Sequence, residues 1–312
     1  MMSESAAVRC EGLGRIYGSV EAVKNLTLAI EPGSVFGFLG RNGAGKTTTI
    51  RLLTGLAQPT SGRAWVSGLE TTNRGLSAQR TFGYMPEVPA FYPWMTPTEF
   101  LQFIGRLFNM PAAELGNRCI ELLEMTGLEK AAKRRIGGFS KGMRQRLGLA
   151  QALIHKPSVL FLDEPTSALD PAGRRDVLDL IDRLRGETTI FLSSHILADV
   201  ERVCDVLGIV QEGELLLMEE RDSLIARYAS DVIHLEFDRS SLAELPSFIG
   251  ELGRLVWVKQ LTREDTVVRV AVTDRMMGKT RLLKLIAESD LALSRYEWVR
   301  PSLEEVFLSI SA

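Results

Sequence analysis

At 312 residues, with 45% apolar and 24% charged side chains, the chain is long enough for two domains, each with its own core. With 37 Lys and Arg against 39 Asp and Glu, the formal net charge is −2, which denies the chain the basic field that non-specific nucleic-acid binding requires. Cys10, Cys119 and Cys204 are odd in number and far apart, so they predict buried thiols in a reducing compartment, and no unbroken apolar stretch predicts a leader or a direct membrane span.

Val8–Cys10 and Ala22–Ile30 read as strands on either side of a turn containing Tyr17-Gly18. Tyr17 has two readings, a ring on which a base stacks and a turn aromatic covering a sheet edge. The apolar run Val35-Phe36-Gly37-Phe38-Leu39 leads into Gly40-Arg41-Asn42-Gly43-Ala44-Gly45-Lys46-Thr47-Thr48, and a helical stretch continues to Leu56. Strand, glycine loop, Lys-Thr and helix in that order form a phosphate cradle. The glycines let successive N–H groups turn inward, the helix adds its positive end, Lys46 reaches the β- and γ-phosphates, and the Thr47 hydroxyl suits Mg²⁺.

A turn at 59–62, a strand at 63–66 and a short strand ending at Thr81–Tyr84 come next, then a loop over 85–97. Helical spacing of apolar residues predicts helices over 98–109, 112–125 and 140–154, a helical insert between strands. Ser158–Leu162 is a continuous apolar run ending in Asp163-Glu164, the pattern of a strand buried on both faces with carboxylates at its carboxyl end, where ligands of open α/β sheets bind. Asp163 suits a metal and Glu164 a water-activating base. A helix over 171–184, a strand over 188–192, His195 and a helix from Ile196 follow. His195 stands at the same sheet edge and suits a γ-phosphate contact. Strands at 205–210 and 215–218 close a hairpin across Glu212-Gly213. His155 and His234 read as structural.

From about Asp231 the pattern changes to strand 231–238, helix 241–252, strands 255–262 and 266–273, helix 276–288, strand 291–299 and a helix from Ser302. This β-α-β-β-α-β order fits a small α+β ferredoxin-like domain without a catalytic cluster.

With these residues in order, roughly the first 225 positions resemble the ATP-binding cassette (ABC) family. Tyr17 is similar to its adenine-stacking aromatic, 40–48 to Walker A, and Val159–Glu164 to Walker B with the catalytic glutamate. Ser167–Asp170 resembles the D-loop and His195 the switch histidine. Phe139-Ser140-Lys141-Gly142-Met143 resembles the LSGGQ signature, retaining Ser140 and Gly142 but departing at Phe139, Lys141 and Met143.

The resemblance implies an α/β P-loop NTPase cassette over 1–225, with a RecA-like core, an antiparallel β subdomain and a helical insert at about 88–155. An accessory or regulatory domain at 229–312 would follow. It implies ATP and Mg²⁺ as cofactors, Lys46, Glu164 and His195 in catalysis, and Thr47, Glu87 and Asp163 toward the metal. It also implies two cassettes, identical or not, binding head to tail around two ATP molecules. Glu87 replaces the usual glutamine, and reads either as an outer ligand of the Mg²⁺-ATP centre or as a solvated carboxylate. With Phe139–Met143 and the tail Ser302–Leu308, it resembles the cassette subunits of bacterial exporters with separate type-2 permeases. That reading implies a cytoplasmic chain held on the inner face of the membrane by its permease. An importer cassette and a non-transport ABC ATPase are the alternatives. Phe91, Tyr92, Trp94 and Met95 suit a permease's coupling helix or the core of the insert equally.

Overall fold

Alternating apolar and polar residues build two long strands, β1 (Val8–Tyr17) and β2 (Val20–Ile30), paired antiparallel. The computed structural model describes residues 5–72, 78–227, 232–299 and 303–310, so the expected starts at Asp231 and Ser302 lie outside the described residues. The chain divides into two compact units, one up to Arg221 and the other over Asp222–Ile310.

In the first unit β3 (Val35–Leu39) runs into the glycine loop and α1 (Lys46–Leu53), which starts two residues before the expected Thr48. β4 (Ser61–Val66) and β5 (Leu69–Glu70) join β1 and β2 in an antiparallel sheet of order β2-β1-β4-β5. β6 (Phe82–Met85) leads through a loop to α2 (Pro97–Leu107) and α3 (Ala112–Met125). α2 begins at Pro97, assigned above to the loop, because proline has no N–H to lose at a first helical position. Thr96 and Glu99 close a reciprocal cap there, with Thr96 N–H to Glu99 Oε2 at 2.8 Å and Glu99 N–H to Thr96 Oγ1 at 3.3 Å.

Then come α4 (Lys141–Ala152), β7 (Val159–Asp163), α5 (Pro171–Arg183), β8 (Thr189–Ser194), α6 (Leu197–Val203), β9 (Val206–Gln211) and β10 (Glu214–Glu220), while α7 (Arg221–Arg227) starts at the boundary and runs on into the second unit. The second sheet has the order β10-β9-β3-β8-β7-β6, parallel except at β10. Every residue of β3, β7 and β8 is buried, as their apolar runs require of strands covered on both faces. Because these three strands are parallel and in register, with Leu39 beside Ser194 and Asp163 beside Ser193, their carboxyl ends open at one edge. This is the mixed α/β arrangement of a P-loop nucleotide-binding fold.

The second unit holds β11 (Val232–Phe237), α8 (Leu245–Leu252), β12 (Val258–Glu264), β13 (Val267–Val272), α9 (Arg275–Met277), a π turn over Gly278–Leu282, α10 (Leu283–Ala287), β14 (Leu293–Trp298) and α11 (Leu303–Ile310). Its antiparallel sheet has the order β12-β13-β11-β14, the split β-α-β arrangement of ferredoxin-like folds. Ile233, Leu235, Val268 and Val270 meet Leu245, Phe248, Leu282 and Ile286 in one core. α8 starts later than expected because Pro246 occupies its first turn, after a 3₁₀ turn at Arg239–Ser241. β12 starts three residues late because a turn closes with Val258 N–H on Leu255 O, leaving Val256 97% exposed.

Candidate active site

The glycine loop leaves β3 and folds back on itself, with Ala44 N–H on Arg41 O at 3.1 Å. Gly45 takes φ +102°, and a Cβ there would lie 2.5 Å from Ala22 O, so both the backbone angle and the space demand glycine. The β9–β10 turn supports the loop, since Gly213 N–H donates to Ala44 O at 3.1 Å. A cavity of about 380 Å³ lies over it, lined by Ala22, Asn42, Gly43, Gly45, Lys46, Thr47, Thr48, Glu87, Glu164 and His195.

Lys46 is 7% exposed. Its ammonium donates to Gly40 O at 2.9 Å and Arg41 O at 3.4 Å, and pairs with Glu164 Oε1 at 3.3 Å without hydrogen-bond alignment. His195 Nδ1 lies 2.7 Å from Glu164 Oε2, joining the phosphate lysine, the carboxylate and the imidazole in one chain. Glu164 adopts φ +50°, a left-handed angle strained for a side chain of its size. Its N–H donates to Ser193 O at 3.1 Å and Ser193 Oγ at 3.2 Å. Its carbonyl accepts from Gln145 Nε2 at 3.3 Å and from Ser167 Oγ at 3.0 Å.

Asp163 is 1% exposed and stands behind the cavity rather than on its wall. Ser193 Oγ donates to its Oδ1 at 2.6 Å, while Oδ2 is buried without a hydrogen-bond partner among the described residues. A buried carboxylate oxygen left unmatched suits a small divalent ion that draws its other ligands from phosphate and water. The Asp163 charge also helps raise the pKa of Tyr84, secondary to burial of that phenol.

The fold thus gathers Asn42, Gly43, Gly45, Lys46, Thr47, Thr48, Glu87, Glu164 and His195 at one cavity, backed by Gly40, Arg41, Ala44 and Asp163. Tyr17, Ser140 and Gly142 do not line it. The Tyr17 ring is exposed and carries the Arg15 guanidinium 4.4 Å over its centroid. Ser140 caps α4 by accepting Met143 N–H at 3.2 Å. A Cβ on Gly142 would lie 3.2 Å from Leu169, so glycine here admits the loop after β7. Sequence reading missed Ala22, Gln145 and Ser193. Only Ser193 left a trace, as a polar residue ending an apolar strand.

The sequence profile of the ABC transporter family matches residues 23–167. The chain is 36% identical to the bacitracin transport ATP-binding protein of Bacillus licheniformis over 98% of its own length and 97% of that protein's. It is 32% identical to the linearmycin resistance ATP-binding protein of Bacillus subtilis over 97% and 98%. A solved ATP-binding subunit of an ABC transporter superposes with a TM-score of 0.66 at 29% identity, covering 71% of this chain and 93% of that one.

Proposed function

The chain belongs to the ABC transporter ATP-binding family, whose cassettes bind ATP with Mg²⁺ and hydrolyse it, and from that premise we propose that it is the nucleotide-binding subunit of an exporter. The observation that carries the proposal is the Lys46–Glu164–His195 chain over the glycine loop. The loop's N–H groups and Lys46 receive the β- and γ-phosphates. A phosphate oxygen entering the loop competes with Glu164 for the Lys46 ammonium, which leaves that carboxylate to accept a proton from the attacking water. His195 holds Glu164 in place and offers its other ring nitrogen toward the γ-phosphate. Thr47 and Asp163 are the residues that would hold Mg²⁺, with Glu87 on the cavity rim as an outer ligand. The ion, when bound, neutralises charge developing on the phosphate oxygens.

Ser140 and Gly142 lie away from this cavity, which supports a head-to-tail pair in which each α4 N-terminus completes the other subunit's site. The unit from Asp222 onward is then an accessory domain. Among the described residues no helix is long and apolar enough to cross a membrane, so movement of a substrate needs a permease. Tyr92 and Trp94 pair 5.2 Å apart and are 41% and 62% exposed, whereas Phe91 packs edge-on against Phe100 of α2. We assign the exposed pair to the permease contact and Phe91 to the core of the insert. The resistance and transport names of the relatives, together with Glu87 and Phe139–Met143, favour export.

The dimer is tested by Glu164→Gln, which keeps shape but slows turnover by about 10²–10⁴-fold. Sizing in Mg²⁺-ATP should show two chains, and a variant still monomeric at saturating ATP refutes the shared site. Export is tested in proteoliposomes with the membrane protein that copurifies, where ATP should drive substrate away from the face that carries this chain. Transport toward that face would make the chain an importer subunit.

A further inference from the structure

Asp199 stands in the first turn of α6, four residues past His195, and is 2% exposed. Its Oδ2 accepts the Thr166 hydroxyl at 2.6 Å, and its Oδ1 pairs with Arg174 Nε of α5. Thr166 is equally hidden, at 3% exposure, and lies two residues beyond Glu164. The chain there makes two overlapping turns that share Thr166, with Ser167 N–H on Glu164 O at 3.3 Å and Leu169 N–H on Thr166 O at 3.2 Å. The position of Thr166 therefore sets the position of the Glu164 peptide.

We infer that Asp199 is a positioning residue for hydrolysis, fixing the Glu164 turn against the helix that follows His195. This rests on the ATPase reading above. Asp199 does not line the cavity, so it has no direct part in binding or chemistry. Its leverage comes from backbone geometry. The left-handed angle at Glu164 aims the carboxylate, and a residue in that region keeps its direction only when the chain on both sides is held. β8 holds the amino side through Ser193. On the carboxyl side the Thr166 side chain is held by Asp199, whose helix begins two residues after His195. The same carboxylate thus sets the height of base and imidazole relative to each other, on which their 2.7 Å contact depends.

The experiment uses the full chain with Asp199→Asn, which keeps shape and removes charge, and Thr166→Val, which removes only the hydroxyl. Each should lower kcat by roughly ten- to a hundredfold, as misplacement of a catalytic group does, while the affinity for a fluorescent ATP analogue stays within about twofold of wild type. Thr166→Ser should restore the wild-type rate. In a Glu164→Gln background, adding Asp199→Asn should change the residual turnover by less than about twofold, because the group being positioned is already gone. Unchanged kcat in both folded variants, a parallel fall in kcat and affinity, or full additivity with Glu164→Gln would each overturn the inference. Should Asp199→Asn fail to fold, Thr166→Val and Thr166→Ser decide alone. Absence of hydrolysis in the wild-type chain would instead refute the ATPase reading itself.

Discussion

Ser193→Ala deletes one oxygen from a strand residue that is fully buried. Asp163 then loses the donor on Oδ1, and because Oδ2 has no hydrogen-bond partner among the described residues, a carboxylate 1% exposed is left without a hydrogen bond from them. Glu164 N–H keeps its 3.1 Å bond to the Ser193 carbonyl, which the substitution leaves alone, and loss of a single oxygen leaves little void. The expected loss is that of one hydrogen bond to a charged group, about 2 kcal/mol, or roughly thirtyfold in the local opening equilibrium. Two compact units make a single global unfolding free energy ill-defined, so the measurement should resolve segments. Native-state hydrogen exchange followed over 159–163 and 189–194 does this. Protection there should fall by roughly thirtyfold, while 267–272 in the second unit stays unchanged. Protection in 159–163 within about threefold of wild type would refute the claim that Ser193 holds Asp163.

Lys46→Ala removes the cavity's buried ammonium and should abolish measurable ATP binding and hydrolysis while the fold survives; a wild-type hydrolysis rate would contradict the phosphate-loop reading. Burial pushes the His155 pKa below the ordinary value near 6.5, so the unfolded chain takes up this proton first as pH falls. Stability that His155 contributes is therefore complete above about pH 6.5 and is lost on acidification toward its folded pKa, and the difference in melting temperature between wild type and His155→Leu should shrink between about pH 6.5 and 5. Burial raises the Cys10 thiol to about 12 and also raises Cys204, so neither should react with iodoacetamide at pH 8 until denaturant is added. Glu87→Gln should keep much of the coupled transport because an oxygen of equal reach remains, whereas Glu87→Ala should hydrolyse ATP without transport. Normal coupled transport by the Ala variant would reduce Glu87 to a solvated carboxylate.

What could be read from the sequence depended on how far apart in the chain the cooperating residues stand. The phosphate loop is local: nine consecutive residues carry both the backbone angles and the charges, so 40–48 announces its chemistry before any fold is known. Asp163-Glu164 and His195 were legible for a related reason, since each ends or follows an apolar run and parallel strands bring such ends to one edge. Ser193 was not, because its role depends on β8 continuing two residues past the apolar run and on its pairing with Asp163 across the sheet. Gln145 and Asp199 look like ordinary helix polar residues, and only tertiary packing puts them against the turn after β7. Prolines mislead at two helix starts in opposite ways: the sequence pattern puts Pro97 in the loop and runs the helix over 241–252 through Pro246, yet both stand in a first helical turn, where the missing N–H has no partner to lose.

The backbone at Glu164 shows why residues outside the recognisable motifs belong to this site. A left-handed angle at a residue with a Cβ costs about 1–2 kcal/mol, and nothing in glutamate's own chemistry offsets it. Two acceptors on Ser193 hold its N–H, and Gln145 and Ser167 hold its carbonyl, so the local peptide is over-determined from β8, α4 and the following turn together. An extended residue at the end of β7 would continue the strand's alternation, whereas the left-handed turn redirects the side chain into the cavity, against Lys46 and His195. The strain is thus the means by which a buried parallel strand presents a carboxylate at its tip. On the proposed role of Glu164 as the base, the geometry that positions it is distributed over α4, β7, β8 and α6, and a cassette sharing the motifs but lacking these supporting contacts should bind nucleotide well and hydrolyse it poorly.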